Sequence, residues 1–353
     1  MRSFDYSQLS ERLWDSDILS YVAKIHEHKG RQEQFIRQKS AGLDRLVEIA
    51  KIQSTEASNK IEGIVTTSTR MRQLMEEKTS PRNRDEKEIL GYRDVLNTIH
   101  ESHDYVPIKP AVILQLHRDL MAKADVSYGG KFKNVQNYIA QTMQDGSQAV
   151  RFTPMAPYET PDAIEAICDS YEKAISLEQI DPLVLIPVFI CDFLCIHPFN
   201  DGNGRMSRLL TLLLLYKCGY EVGKYISLEK QIEKSKDAYY EALGQSDFQW
   251  QDGKNDPTPF VKYMLQMVLG CYVEFEQRVQ LTDVKSSAYD VVLTYAKSII
   301  GKFTSSDAIV ACPSFGRSSV LSSLKALCDE GRIIRMGSGR NTYYVNASAI
   351  DSR

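Results

Sequence analysis

The stretch that decides the fold reads HPFNDGNGRMSR, from His197 to Arg208. One apolar run precedes it at residues 183–196, and another follows at residues 209–216. This pattern predicts a helix, a tight loop and a second helix, with the polar side chains gathered at the loop and at the first turn of the second helix. Backbone N–H groups are unpaired at the start of a helix, where the helix dipole also favours an anion.

The residue types in this stretch suit a phosphate. Its two glycines let the backbone approach a phosphate without an intervening Cβ atom. Arg205 and Arg208 are three residues apart on neighbouring parts of one helical face, and arginine grips phosphate oxygens in a fork. Asp201 could hold a divalent cation on the same oxygens, and His197 could take a proton from an incoming hydroxyl. The stretch therefore predicts a nucleotide-phosphate site with its own base.

These residues resemble the signature of the Fic family, His-x-Phe-x-(Asp/Glu)-Gly-Asn-Gly-Arg-x-x-Arg, and match it at every fixed position. The resemblance implies an enzyme that usually transfers AMP from ATP to a Ser, Thr or Tyr hydroxyl of a target protein or of itself, releasing pyrophosphate. It implies that His197 is the catalytic base and that Asp201 holds Mg²⁺ (or Mn²⁺). The implied nucleotide-binding residues are Gly202, Asn203, Gly204, Arg205 and Arg208. The alternative is a helix-capping loop with a buried histidine and two solvated arginines.

A second segment, Ser58 to Gly63, lies on a predicted helix at about residues 44–63. Ser58 and Glu62 share a helical face, Gly63 suits a helix end, and a carboxylate at that end needs a cationic partner. The segment resembles the Fic inhibitory motif (Ser/Thr)-x-x-x-Glu-(Gly/Asn), as in class II Fic proteins. The resemblance implies that Glu62 pairs with Arg208 and keeps ATP in an unproductive pose. In some relatives the same glutamate helps hydrolyse AMP from a modified target, so a de-adenylylating enzyme is an alternative; an ordinary solvated glutamate is another.

Residues 131–140 partly alternate in polarity, Gln144–Ser147 favours a turn, and Val150–Thr153 follows, which together predict a β-hairpin. Gly130 and the next three residues resemble the start of the Fic flap, whose edge would pair with an extended segment of the target. The implied docking residues are Lys131, Phe132 and Lys133. A short structural hairpin is the alternative.

Three further side chains need an interpretation. Tyr239 and Tyr240 resemble the Fic positions that flank the adenine, although core packing explains them equally well. His117 lies in an apolar helical stripe and is expected to be a packed core histidine rather than a catalytic one.

The predicted fold is mainly α-helical, with three regions. Residues 1–104 form an N-terminal helical region, residues 105–283 a Fic-type helical core with the hairpin flap, and residues 284–353 a domain that resembles a winged helix-turn-helix. In that last region, helices are expected at 287–298, 304–310 and 315–330, followed by strands at 333–336 and 342–345. Side chains expected to face a groove or lie on the wing are Arg317, Ser318, Ser319, Ser322 and Arg340.

Composition limits the class of protein. The 353 residues carry a formal net charge of −3 and are 43% hydrophobic, without an apolar run long enough to span a bilayer or a visible signal peptide. The seven cysteines include no Cys-x-x-Cys pair, which favours a cytoplasmic protein with reduced thiols. Because no apolar run is long enough to span a bilayer, no membrane partner is expected. Residues 284–353 hold nine Lys and Arg against five Asp and Glu. This region is therefore a candidate for DNA binding or for protein–protein contact, and a DNA-binding regulator with a nucleotide-sensing Fic core is the runner-up function. The target protein is not identified by the sequence, and a homodimer is possible.

Overall fold

The computed structural model describes residues 2–37, 43–124, 126–142, 148–283, 287–299, 301–312 and 315–347. In these ranges the chain is mostly helical, with two small antiparallel sheets, which confirms the predicted fold class. Its contacts define two compact units, one of Met1–Glu27 with Ala50–Cys271 and one of His28–Ile49 with Tyr272–Arg353. Parts of three helices therefore group with the C-terminal residues, and the domain boundaries predicted after residues 104 and 283 stay predictions. No helix in the described ranges is long and apolar enough to cross a membrane.

The elements follow each other in a mainly helical order. The helices are α1 (Ser16–Arg37), α2 (Leu43–Ile61), α3 (Ser68–Met75), α4 (Arg84–Ser102), α5 (Pro110–Met121), α6 (Thr160–Leu177), α7 (Pro182–Ile196), α8 (Asn203–Lys217), α9 (Leu228–Lys234), α10 (Lys236–Ser246), α11 (Thr258–Asp283), α12 (Ala288–Ser298), α13 (Ser305–Ala311) and α14 (Arg317–Asp329). The strands are β1 (Ile139–Thr142), β2 (Gln148–Phe152), β3 (Lys302–Phe303), β4 (Ile333–Met336) and β5 (Tyr343–Asn346).

Helix α7 forms the centre of the first unit. Asp181 caps its start by accepting a hydrogen bond from the Leu183 N–H at 2.8 Å, and Pro182 occupies the first turn, where no N–H is needed. Every residue of the helix from Leu183 to Ile196 is buried, as expected of a helix that is apolar all round. It packs against α6 and α8. The predicted succession of helix, tight loop and helix is confirmed.

The predicted β-hairpin is present, with β1 and β2 paired antiparallel from Ile139↔Phe152 to Thr142↔Gln148. Its first strand begins at Ile139, however, and not near Lys131 as predicted. The reason is non-local: the Lys133 N–H donates to the Pro198 carbonyl at 2.8 Å, and its ammonium donates to the Ile196 carbonyl at 2.9 Å. These bonds tie the segment before the hairpin to the signature loop. The predicted turn residues Gln144–Ser147 lie outside the described residues.

The second unit contains α12, α13 and α14 and a three-stranded sheet of order β3-β5-β4. The helices and β4 and β5 lie within two residues of the predicted positions, whereas β3 was missed because it has two residues. Ser287 and Thr304 begin α12 and α13 with capping boxes. A buried apolar cluster holds this unit together, and it includes Val292, Phe303, Val320, Leu324, Leu327 and Ile333.

Candidate active site

The signature loop connects α7 to α8 through two left-handed residues. His197 ends α7 with φ 52° and ψ 62°, and Gly202 precedes α8 with φ 83°. Asn203 then closes the loop on itself, because its Oδ1 accepts from the Phe199 N–H at 2.9 Å and its Nδ2 donates to the Phe199 carbonyl at 2.8 Å. The amide of Asn203, predicted to bind nucleotide, therefore holds the loop in shape in this structure.

His197 has the protonation state of a base. Its Nδ1 lies 3.2 Å from the Leu194 carbonyl, which is an acceptor, so Nδ1–H donates and Nε2 carries the lone pair. Burial lowers the pKa of the imidazole to about 4, so the ring is neutral at neutral pH. Its side chain lines the cavity described below. A neutral imidazole with its lone pair on Nε2 can accept a proton there.

His117 fixes the same loop from α5. Its ring stacks on Phe199 with the centroids 3.6 Å apart and an interplanar angle of 8°. Its Nδ1 accepts from the Gly130 N–H at 3.1 Å, so Nε2–H donates to the Asp201 carbonyl at 3.0 Å. Burial lowers its pKa to about 4. His117 is buried, as expected of a core histidine, but its two hydrogen bonds to backbone groups of the site were not anticipated.

Arg208 lies in contact with the predicted inhibitory residues. Its Nε donates to the Ser58 hydroxyl at 2.8 Å, and its Nη2 donates to the Ser58 carbonyl at 2.9 Å and to Glu62 Oε1 at 2.8 Å. Gly63 follows α2 with φ 82°, a conformation that glycine adopts at little cost. A Cβ atom on Gly204 would lie 2.1 Å from Glu62 Oε1. The Glu62 carboxylate thus occupies the space above the first turn of α8.

Arg205 lies in a ring of four charged groups. Its Nη1 donates to Glu88 Oε2 at 2.6 Å, and its Nη2 lies 3.5 Å from Asp201 Oδ1. On the other side, Arg84 donates from Nε to Glu88 Oε1 at 2.6 Å and from Nη2 to Asp201 Oδ2 at 3.3 Å. Arg205 was expected to hold a phosphate, which stays a prediction; in this structure its guanidinium is buried against Glu88. Nothing in the sequence distinguishes Glu88 from other glutamates on α4.

Asp201 is the candidate metal ligand of the signature loop. The described residues contain no group of three or more His, Cys, Asp or Glu side chains placed to hold a metal ion. The Asp201 side chain is 43% exposed. Mg²⁺ commonly binds one or two carboxylates and takes its other ligands from phosphates and water. The donor set therefore fits a metal that arrives with a nucleotide.

A cavity of about 1330 Å³ adjoins the loop, and it is large enough for a nucleotide. His197, Gly204 and Arg208 line one side, and residues of α10 and of the hairpin line others. Of the two predicted adenine contacts, Tyr240 is 41% exposed, whereas Tyr239 is 3% exposed. The Tyr239 ring packs edge-on against Phe260 and Tyr263. Both tyrosines line the cavity, and Tyr240 has the more exposed side chain.

The three predicted docking residues lie before the hairpin, and not on its edge. Lys131 is exposed and donates to the Ser127 carbonyl at 2.9 Å, and the Phe132 ring lies 6.4 Å from that of Phe199. Lys133 is buried, and burial lowers its pKa to about 8. Lys133 is held under the signature loop, and a docking role for the three residues stays a prediction. The hairpin residues on the cavity are Ile139, Ala140, Arg151 and Phe152.

Comparison with known proteins agrees with this geometry. Residues 107–215 match the Fic/DOC family. The chain is 26% identical over 234 residues to the protein adenylyltransferase Fic of Culex quinquefasciatus, covering 64% of this chain and 41% of that protein. It is 27% identical over 186 residues to the protein adenylyltransferase fic-1 of Caenorhabditis elegans, covering 51% of this chain and 32% of that protein. The chain therefore spans less than half the length of these curated relatives.

Solved structures share the fold. A Fic family protein from Desulfovibrio desulfuricans G20 superimposes with a TM-score of 0.64 at 22% identity, covering 95% of this chain and 97% of that one. Residues 134–508 of Fic-1 from C. elegans give a TM-score of 0.59 at 21% identity, covering 74% of this chain and 73% of that one. The family match includes the signature loop, α7 and most of α8. Residues 107–215 of this chain therefore form a Fic domain, within a fold that Fic proteins share.

Proposed function

We propose that this protein is a protein adenylyltransferase, which transfers AMP from ATP to a Ser, Thr or Tyr hydroxyl of a target protein. The observation that carries the proposal is the neutral His197 imidazole, with its Nε2 lone pair, on a nucleotide-sized cavity that Gly204 and Arg208 also line. The relatives named protein adenylyltransferase Fic support the same reaction.

The residues of the cavity divide the reaction between them. The adenine stacks on Tyr240, the phosphates lie at the first turn of α8, and Arg208 grips the terminal phosphate. His197 Nε2 accepts the proton of the target hydroxyl as its oxygen forms a bond to the α-phosphorus. The bond from that phosphorus to the bridging oxygen breaks, and pyrophosphate leaves with the electron pair. Phosphoryl chemistry of this kind depends mainly on positioning and on charge stabilisation.

Asp201 is the residue that would hold Mg²⁺ or Mn²⁺ on the phosphates. The bound metal would neutralise charge on the triphosphate and on the departing pyrophosphate. Asp201 itself is oriented by the Gly202 N–H, which donates to its Oδ1 at 2.6 Å, and by the Tyr128 hydroxyl at 3.3 Å.

Glu62 holds the enzyme in an inhibited state in this proposal. Its carboxylate accepts a hydrogen bond from Arg208 and fills the space over Gly204. The terminal phosphate of ATP therefore cannot bind Arg208 or occupy that space. ATP then binds without presenting its α-phosphorus for in-line attack. Release of Glu62 from Arg208 would free the guanidinium and open the space over Gly204 for the phosphate.

Incubation of the full chain with α-labelled ATP and a cell lysate tests the proposal. We expect little label with the unaltered chain, strong label on itself or on a lysate protein with Glu62→Gly, and none when His197→Ala is added. Glu56→Gln, on the α2 helix that precedes Glu62, is the matched control and should behave as the unaltered chain. Absence of label with Glu62→Gly would refute the activity, and label that survives His197→Ala would remove His197 as the base.

Several expectations from the sequence stay predictions: self-modification, a homodimer, DNA binding by residues 284–353 and a cytoplasmic location. A gel-shift assay with genomic fragments, with and without ATP, tests the DNA-binding regulator. Release of AMP from a pre-modified target tests the reverse reaction, and Glu62→Gln should abolish that release if this glutamate takes part in it.

A further inference from the structure

Glu88 is a buried carboxylate at the nucleotide site, and it lies on α4, outside the residues that match the Fic/DOC family. Its side chain is 4% exposed and bonds two arginines, Arg205 and Arg84. Both of these arginines also face Asp201, so the four groups alternate in sign around a closed ring. A buried carboxylate is costly unless it is paired in this way.

Arg205 depends on Glu88 for its position. Its side chain is 1% exposed, and its Nε finds no acceptor among the residues that the structure describes. Its contact with Glu88 is 2.6 Å long, whereas its contact with Asp201 is 3.5 Å long. A buried guanidinium that loses its carboxylate moves to pair with the nearest anionic side chain, because an uncompensated buried charge is strongly destabilising. Without Glu88, that anion is Asp201.

We infer that Glu88 is a positioning residue of the nucleotide site, which holds Arg205 away from Asp201 and so leaves the Asp201 carboxylate available to a metal–triphosphate. The inference rests on the proposed function, since it deepens the account of how ATP is bound. Glu88 touches neither substrate nor metal in this role. It acts through Arg205, as residues behind metal ligands commonly do.

Glu86 provides a matched control on the same helix. It is also buried, and its carboxylate binds the guanidinium of Arg70 at 2.6 Å and the Arg82 N–H at 2.8 Å. Glu86→Gln therefore removes a buried charge from a similar ion pair without altering the ring around Asp201. A general loss of stability affects both variants, whereas loss of the ring affects Glu88→Gln.

The experiment measures ATP affinity by calorimetry on the full chain carrying Glu62→Gly, with Mg²⁺ and with EDTA. For Glu88→Gln we expect the Mg²⁺-dependent gain in affinity to fall by roughly tenfold or more, the size of effect seen for groups behind metal ligands. Affinity in EDTA should stay close to that of the parent. Glu86→Gln should match the parent in both conditions, and Glu88→Asp, which keeps the charge, should recover part of the loss. Equal Mg²⁺ dependence in Glu88→Gln and Glu86→Gln would overturn the inference.

Arg84 supplies a second arm that does not threaten folding, because its side chain is 60% exposed. Removing this cation from the ring should strengthen the Mg²⁺-dependent binding, the opposite sign to Glu88→Gln. Arg82→Gln, at an exposed neighbouring arginine, is its control. If Arg84→Gln behaves as Arg82→Gln, the ring does not set the Asp201 carboxylate and the inference is wrong. Because binding is measured apart from labelling, a parent that binds ATP but labels nothing would refute the proposed function and leave this comparison intact.

Discussion

Lys236 binds the end of α2, which Glu62 directly follows, and its replacement should release that glutamate. The ammonium of Lys236 donates to the Ile61 carbonyl at 2.6 Å and lies 5.8 Å from the centre of the Tyr240 ring. Ile61 is the last residue of α2, and the final carbonyls of a helix have no partner within it. A cation at this end also interacts favourably with the helix dipole. Lys236→Met keeps much of the side-chain volume and removes the hydrogen bond to Ile61 and the interaction with the helix dipole.

The size of the effect follows from the partly buried position of this bond. A hydrogen bond to a charged group contributes about 1.5–3 kcal/mol. Because the Lys236 side chain is exposed, solvent screening reduces this to about 1–2 kcal/mol. If the last turn of α2 must be in place for Glu62 to reach Arg208, the balance between inhibited and released states shifts by the same amount. This corresponds to a rise in labelling rate of about 5- to 30-fold.

The assay compares labelling rates from α-labelled ATP for Lys236→Met and for Lys234→Met, a nearby exposed lysine that serves as control. Each is measured in the unaltered chain and in the Glu62→Gly chain. We expect activation by Lys236→Met with Glu62 present, but a change within about twofold without it, since nothing then remains to be released. An equal change in both backgrounds would show that Lys236 acts on nucleotide binding through Tyr240, and would refute the reasoning.

Three further predictions follow from the site and its support. Gly204→Ala should displace the Glu62 carboxylate, because the new Cβ would lie 2.1 Å from its Oε1. ATP affinity should nevertheless fall roughly tenfold, since the same Cβ fills the phosphate space, and increased labelling would contradict this. The pKa of His197 is lowered to about 4, so the base is neutral above that value and kcat/KM in the Glu62→Gly chain should fall only as the pH drops toward 4; a half-maximal value at about pH 6.5 would indicate an ordinary solvated histidine. Trp250→Phe should lower the free energy of urea unfolding by about 1–3 kcal/mol, because Nε1–H donates to the buried Asp192 at 2.6 Å; a change below about 0.5 kcal/mol would show that this bond contributes little.

The parts of the site that the sequence predicts are those set by local pattern. The apolar run before His197 is long enough to favour a buried helix, and the glycine-rich segment after it favours a turn, so the loop and the start of α8 follow from the local pattern. Ser58 and Glu62 are four residues apart, which places them on one helical face before any tertiary contact is known. Their meeting with Arg208, 150 and 146 residues away, came from family resemblance.

The parts that the sequence did not predict depend on contacts between distant segments. Lys133 looks like a strand residue in an alternating segment, but its bonds to the carbonyls of Pro198 and Ile196 remove it from any sheet. Glu86 and Glu88 look alike in sequence, and only the packing of α4 against α8 assigns one of them to Arg205. Tyr239 and Tyr240 are adjacent, so composition cannot tell which one the helix turns toward the core. In each case the sequence pattern indicates the face on which a residue lies and not the residue that it contacts.

The left-handed backbone of His197 has a consequence for how this protein evolves under selection for heat resistance. A non-glycine residue with φ near 52° carries conformational strain of ~1 kcal/mol or more, which glycine does not. The base therefore occupies a position at which the fold alone would prefer glycine. His197→Gly should be inactive yet melt at a higher temperature than His197→Ala, since both lose the imidazole and only glycine relieves the backbone. A screen for thermostability without a screen for labelling would thus tend to discard the catalytic residue, and such a trade between stability and activity is expected wherever a catalytic side chain depends on a strained backbone.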